Sequence, residues 1–190
     1  MKKVTQIGSY VLATFLILYI VVTLFAPQLT MNIFGFRSFI VVSNSMEPDI
    51  NVYDMIFVKK ANEDDLEVHD AITFSVYIPE VGEESYVTHY IGDITTNDEG
   101  DTVFLTRGAR YPDNDYDEWT DANGDPDDIT IDDIEGVYVF KIPYVGFIIN
   151  MLRDPIFLGL LVINGTVLYY LVKTIKKSFD NKNNQKKESE

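Results

Sequence analysis

No charged residue occurs between Val4 and Phe36, and within that span Gly8–Ala26 (GSYVLATFLILYIVVTLFA) is almost wholly apolar. A helix of about that length crosses the ~30 Å hydrocarbon core of a bilayer. The run is longer than the ~7–15 residue core of a removable leader, and Pro27 disfavours cleavage after Ala26. It therefore reads as a retained anchor, even though Lys2 and Lys3 precede it. A second uncharged run, Pro155–Val172 (PIFLGLLVINGTVLYYLV), has 18 residues and carries Tyr169 and Tyr170 near its end, where an interfacial aromatic belt would lie. Any water-exposed domain must be built from what lies between.

That middle segment is acidic. From Ala26 to Asn150 it holds 26 Asp and Glu against 6 Lys and Arg, a balance of −20, whereas the two ends together carry +5. Such a surface repels phosphate, which argues against nucleic acid as a partner and suits a cationic substrate or a salty medium. Lys2 and Lys3 precede the first span, and Lys173, Lys176 and Lys177 follow the second. The positive-inside rule then predicts a cell-membrane protein with both termini cytoplasmic and the acidic domain outside. The expected organisation is a cytoplasmic N-terminus (1–7), a first transmembrane helix (8–26), an extracytoplasmic domain (27–154), a second transmembrane helix (155–172) and a basic, polar cytoplasmic tail (173–190), irregular beyond about Asp180.

The middle domain reads as mainly β, a small barrel or folded sheet tethered by the two helices. Phe39–Ser43, Met55–Lys59, Ala71–Tyr77, Ser85–Ile94, Thr102–Thr106 and Gly136–Ile142 are short runs rich in Val, Ile, Thr, Phe and Tyr, separated by turn-forming stretches. No helical periodicity of useful length stands between the anchors. Ile142–Leu152 and much of Thr30–Ile40 are apolar as well, either as core strands or as a side of the domain close to the lipid.

The chain has no cysteine, which excludes disulfides, thiol catalysis and cysteine-bound zinc. Its two histidines, His69 and His89, form no HExxH pattern, and neither a metal nor another cofactor is expected. DANGDPDD (121–128) has the alternating oxygens of a calcium loop. An EF-hand, however, needs Glu at its twelfth position, where Asp132 stands, and helical flanks. What remains is hydroxyl chemistry. A serine needs an imidazole to take its proton and an acid to orient that imidazole. Ser43 and Ser45 in VVSNSMEPDI (41–50) and the two histidines supply the first two parts, and acids are too many to choose by type.

Order and local context add more. SNSMEPDI (43–50), DMIFVKK (54–60), YVTHYIGDI (86–94), LTRG (105–108), DANGDPD (121–127) and EGVYVFKIPYVG (135–146) follow one another in the chain. This succession, from about Phe39 to Gly146, resembles the type I signal peptidases of the archaeal and endoplasmic-reticulum kind and their Gram-positive relatives. The resemblance implies a signal-peptidase-like β domain with Ser45 as nucleophile, Ser43 and the Ser45 amide as oxyanion hole, and His89 as general base where ordinary bacterial enzymes have lysine. It leaves Lys59 and Lys60 as solvated charges and His69 as an exposed turn residue in place of a glycine.

The acid departs from the family pattern, because Ala109 follows Thr106-Arg107-Gly108 where the family has aspartate. If ARYPDNDYDEWT (109–120) is a solvated insertion, Asp121 and Asp127 take the two family positions, and Asp127 is the expected partner of His89. Counting on from Gly108 instead gives Asp115. The resemblance implies a cofactor-free serine endopeptidase that removes signal peptides after small residues. Its expected partners are secretory preproteins, the lipid bilayer and, as a further candidate, the protein-export channel. The alternative is an inactive or specialised membrane-tethered relative that binds or selects particular surface-protein precursors.

Overall fold

The computed structural model describes residues 2–188, with side chains described from residue 5 to residue 177. Two compact units divide the chain, Met1–Gly146 and Phe147–Glu190.

The first unit opens with helix α1 (Lys2–Phe25), then a 3-10 turn (Pro27–Leu29) and the short helix α2 (Thr30–Phe34). Six strands follow: β1 (Phe36–Ile40), β2 (Met55–Lys59), β3 (Ala71–Ile78), β4 (Glu83–Thr96), β5 (Thr102–Arg107) and β6 (Ile134–Ile142). They form one antiparallel sheet in the order β1-β2-β6-β3-β4-β5. Helix α3 (Val145–Arg153) begins at the end of the unit, and α4 (Pro155–Glu188) forms most of the second. Asp154 caps α4, accepting the Ile156 amide at 2.8 Å, with Pro155 at the first helical position where its missing N–H costs nothing. Both α1 and α4 contain stretches long and apolar enough to cross a membrane, Thr5–Phe25 and Pro155–Lys177.

Five strands follow the expected runs closely. β3 is the clearest, because Ile72, Phe74 and Val76 alternate into a core with Leu66, Ile91, Phe104 and Ile129. Burying each of these side chains contributes roughly 2 kcal/mol. β1 lies three residues earlier than expected. Beyond Ile40 the chain leaves strand geometry, although Val41 still exchanges backbone hydrogen bonds with Asp54 and Tyr53, at 2.9 and 2.8 Å. The expectation of no helix between the anchors fails at α2 and α3. α3 is only nine residues long, and its polar side rests on Asn150 and Arg153 alone, too few positions to mark a helical period in the sequence. The irregular tail is not met over residues 181–188 either, since α4 continues to Glu188 and no Gly or Pro after Gly165 interrupts it.

A line of aromatic rings joins α1 to the sheet. Tyr19 stacks on Phe36 at 4.9 Å and donates its hydroxyl to Ser38 Oγ at 2.9 Å. Phe36 meets Phe57, which stacks on Phe140 at 4.6 Å. The apolar segment after the first span is thus packed between helix and strands, while Val42, Val139, Phe140, Ile142 and Tyr144 of the same unit stay exposed.

The loop between β1 and β2 carries both candidate serines, and a buried ion pair closes it. Asp54, 1 % exposed, accepts Lys141 Nζ at 2.7 Å and the Asn51 amide at 2.9 Å. Burial alone would raise the Asp54 pKa, but the Lys141 ammonium and the backbone donors hold it below the usual carboxylate range. A carboxyl depressed in the folded state stabilises fully above its unfolded pKa of about 4, and that stability is lost as pH falls through the folded value. Lys141→Met should therefore cost roughly 3 kcal/mol at neutral pH, shrinking on acidification as Asp54 takes up a proton. Urea unfolding at several pH values checks this, and a cost independent of pH would contradict it.

Candidate active site

Three segments build the site: the Ser43–Ile50 turn, strand β4 with His89, and the end of β5 with the chain beyond it. Met46, 2 % exposed, buries its side chain with Ile50, Ile56 and Val58, which anchors the turn from inside. The Ile50 amide bonds to the Met46 carbonyl at 2.8 Å and closes the turn. Ser43 is left exposed and Ser45 half-buried, with their hydroxyl oxygens 3.3 Å apart.

Gly108 brings β5 against this turn. The Ala109 amide donates to the Ser45 carbonyl at 2.9 Å, and a Cβ built on Gly108 would lie 2.8 Å from that same oxygen. β4 and β5 pair Tyr90 with Arg107, so one further step in register sets His89 opposite Gly108. The segment that carries Ser45 and the residue next to His89 thus both meet this end of β5, through Ala109 and Arg107.

His89 is 5 % exposed. Its Nδ1 lies 2.6 Å from Asp117 Oδ2. An ionised carboxylate only accepts, so Nδ1–H is the donor in this bond, and in the neutral imidazole Nε2 is the nitrogen with the lone pair. Nε2 is buried and has no hydrogen-bond partner. The same Asp117 oxygen accepts the Thr106 hydroxyl at 2.8 Å, and Thr106 Oγ1 accepts the Trp119 indole N–H at 2.9 Å. The Trp119 ring stands 5.9 Å from the imidazole and edge-on to Phe74.

Asp117 corrects the expectation for the acid. The stretch read as a solvated insertion, residues 109–120, is the one that supplies it. Arg107 holds the outgoing limb through Asp113, at 2.8 Å, and the Tyr111 carbonyl, at 3.2 Å. The chain then turns back along β5, and the Asp117 amide bonds to the Thr106 carbonyl at 2.8 Å. Tyr116 packs on Gly92, where a Cβ would meet its ring at 2.6 Å. Beyond Trp119 a small hairpin projects, with Thr120 bridged to Pro126.

Asp121 and Asp127 belong to that hairpin and do not touch His89. Asp121 accepts the amides of Asn123 and Asp125, bonds that lower its pKa. The pKa of Asp127 is raised, by partial desolvation and then by the carboxylates of Asp133, Asp121, Asp128 and Glu84. A group so placed has acids for neighbours and no imidazole. Asp115 is exposed at the tip of the 112–115 turn. His69 is exposed too, in the left-handed region at φ 78°, and Lys59 and Lys60 point to solvent. One signal for Asp117 was present in the sequence: in YDEW the acid stands between aromatic residues, which mark a packed stretch rather than a solvated one.

A groove of about 300 Å³ runs past the serines, between residues 39–42 and residues 85–88. Both walls have free backbone edges. β1 ends the sheet, and β4 pairs with β5 only from Tyr90 onward, which leaves the other edge of residues 83–89 open. At one place the walls meet, where Arg37 lies over the rings of Phe39 and Tyr86. A second hollow, about 410 Å³, separates β5 from segment 117–129; Asp117, Trp119 and Asp127 line it, and neither serine nor His89 does. Among the described residues no group of three or more His, Asp or Glu is arranged to hold a metal ion. Comparison with protein-family models and with characterised proteins finds no match.

Gly108→Ala tests the close approach. The methyl would have to displace the Ser45 carbonyl, so the substitution should destabilise the chain by about 1–3 kcal/mol and increase hydrogen exchange at the Ala109 amide. Wild-type stability and protection together would contradict the contact.

Proposed function

We propose that this chain is a membrane-anchored serine endopeptidase of the signal-peptidase type, which cuts signal peptides from exported preproteins. The observation that carries the reading is the buried His89, bonded through Nδ1 to Asp117 and with Nε2 unpartnered, on a strand whose partner β5 runs on into Ala109, which bonds to the Ser45 carbonyl. In this mechanism a preprotein lies extended in the groove and adds its backbone to the free edges of β1 and β4. Ser45 Oγ turns from Ser43 to Nε2 and attacks the scissile carbonyl as His89 takes its proton. The Ser45 amide and the Ser43 hydroxyl receive the developing oxyanion. The imidazolium returns the proton to the leaving amine, and water, deprotonated by His89, releases the acyl group from Ser45. Asp117 keeps the imidazole in the useful tautomer throughout.

The two apolar helices fit a site at a membrane face, since a signal peptide's own apolar segment lies in lipid and confinement raises its local concentration. The lysines at both ends favour cytoplasmic termini and an external β unit. The alternative, a relative that selects particular precursors, draws support from the Arg110–Glu47 ion pair at 2.6 Å, which ties segment 109–120 to the serine turn. Deleting that segment cannot test selection, because Asp117 leaves with it. Arg110→Ala is the suitable variant.

Membranes carrying the chain should cleave a preprotein after a small residue, and Ser45→Ala and His89→Ala should abolish cleavage. Asp117→Asn should lower kcat by about 10⁴-fold, the effect of a wrong imidazole tautomer in serine proteases. Asp115→Asn, Asp121→Asn and Asp127→Asn should stay within several-fold of wild type. Cleavage by Ser45→Ala at the wild-type rate would sink the reading, and a crippled Asp127→Asn beside an active Asp117→Asn would reassign the acid.

A further inference from the structure

Asp117 lies on a connecting segment rather than a strand, so its side chain needs outside support to keep its place against His89. We propose that Thr106 and Trp119 are positioning residues that provide this support, an inference that rests on the peptidase reading and deepens it. Thr106 sits in β5 in register with Ile91, and its side chain is 1 % exposed. It holds Asp117 twice, its carbonyl accepting the Asp117 amide and its hydroxyl donating to Oδ2, both at 2.8 Å.

The direction of every proton in this network is forced. An indole N–H only donates and a carboxylate only accepts. With the Trp119 N–H bound to Thr106 Oγ1, the hydroxyl proton must turn to Asp117. Oδ2 thus receives two donors, His89 and Thr106, from two neighbouring strands. Trp119 follows Asp117 by two residues and is wedged between Phe74 and His89, which pins the segment on its far side. Without the hydroxyl, one of the two donors that fix Oδ2 is lost, and the carboxylate can rotate away from the imidazole.

Thr106→Val keeps the shape and removes both side-chain hydrogen bonds. Thr106→Ser keeps the hydroxyl, and Trp119→Phe keeps a ring while removing the N–H. For the full chain in lipid nanodiscs, Thr106→Val should lower kcat by about 10–100-fold with KM unchanged, as expected for a misplaced catalytic group. Trp119→Phe should fall in between, and Thr106→Ser should recover to within a few-fold of wild type. The low-field proton resonance of His89 Nδ1–H gives a readout independent of cleavage. It should shift or broaden in Thr106→Val and return in Thr106→Ser.

A folded Thr106→Val chain with wild-type kcat and an unmoved resonance would overturn the proposal. So would a loss of kcat in Thr106→Val that Thr106→Ser fails to restore while the resonance stays in place, since that pattern belongs to a purely structural threonine. If the wild type cleaves nothing, the peptidase reading fails, and with it the positioning role. The resonance would then report only whether these residues hold Asp117.

Discussion

A single carboxylate oxygen, Asp117 Oδ2, is where the strands of the site and the connecting segment meet. It accepts His89 from β4 and Thr106 from β5, and it lies on a segment that has no strand pairing of its own. A partly buried carboxylate is favoured where donors stand close by, and His89 and Thr106 from those two strands supply them. The register of β4 on β5 fixes where the donors stand, and the clamp of Arg107 on Asp113 fixes where the segment turns back. The imidazole orientation follows, and with it the placement of the free Nε2.

The serine half of the site depends on a different constraint, the absence of a side chain at Gly108. Because nothing projects there, the Ala109 amide can reach the Ser45 carbonyl, and the turn closes against the end of β5. Met46 holds the turn from the core side, and the Asp54–Lys141 pair closes the loop behind it. The nucleophile candidate is therefore held by packing, by a backbone contact and by a buried ion pair. That is the rigidity expected where reacting groups must be held within fractions of an ångström.

Much of this was legible in the residues. β2 and β3 stand out because their β-branched and aromatic side chains are buried in alternation or throughout, and the two membrane-length helices because nothing charged interrupts them. Ser45 and His89 were singled out by short runs, SNSMEP and VTHYI, and the structure adds that His89 is buried against a carboxylate. β1 was displaced because Val41 and Val42 extend an apolar pattern past the point where the backbone leaves the sheet. α3 was missed because it is only nine residues long and just two polar positions, Asn150 and Arg153, mark its period. Asp117 was missed for a physical reason. Spacing along the chain favoured Asp121 and Asp127, but DANGDPD is the Gly- and Pro-containing tip of a hairpin that projects from β5, whereas Asp117 lies at the base where the chain folds back. Which acid meets the imidazole is decided by that fold-back, a tertiary event no residue count contains.

The central claim is that Ser45 is made nucleophilic by His89 held on Asp117. The most direct measurement is covalent labelling of the full chain in membranes with a serine-reactive fluorophosphonate, the modified residue being located by mass spectrometry in wild type, His89→Ala and Asp117→Asn. The account predicts label on Ser45 in the wild type, none in His89→Ala, and strongly slowed labelling in Asp117→Asn. Label on another serine, or equal labelling of Ser45 in all three chains, would contradict it.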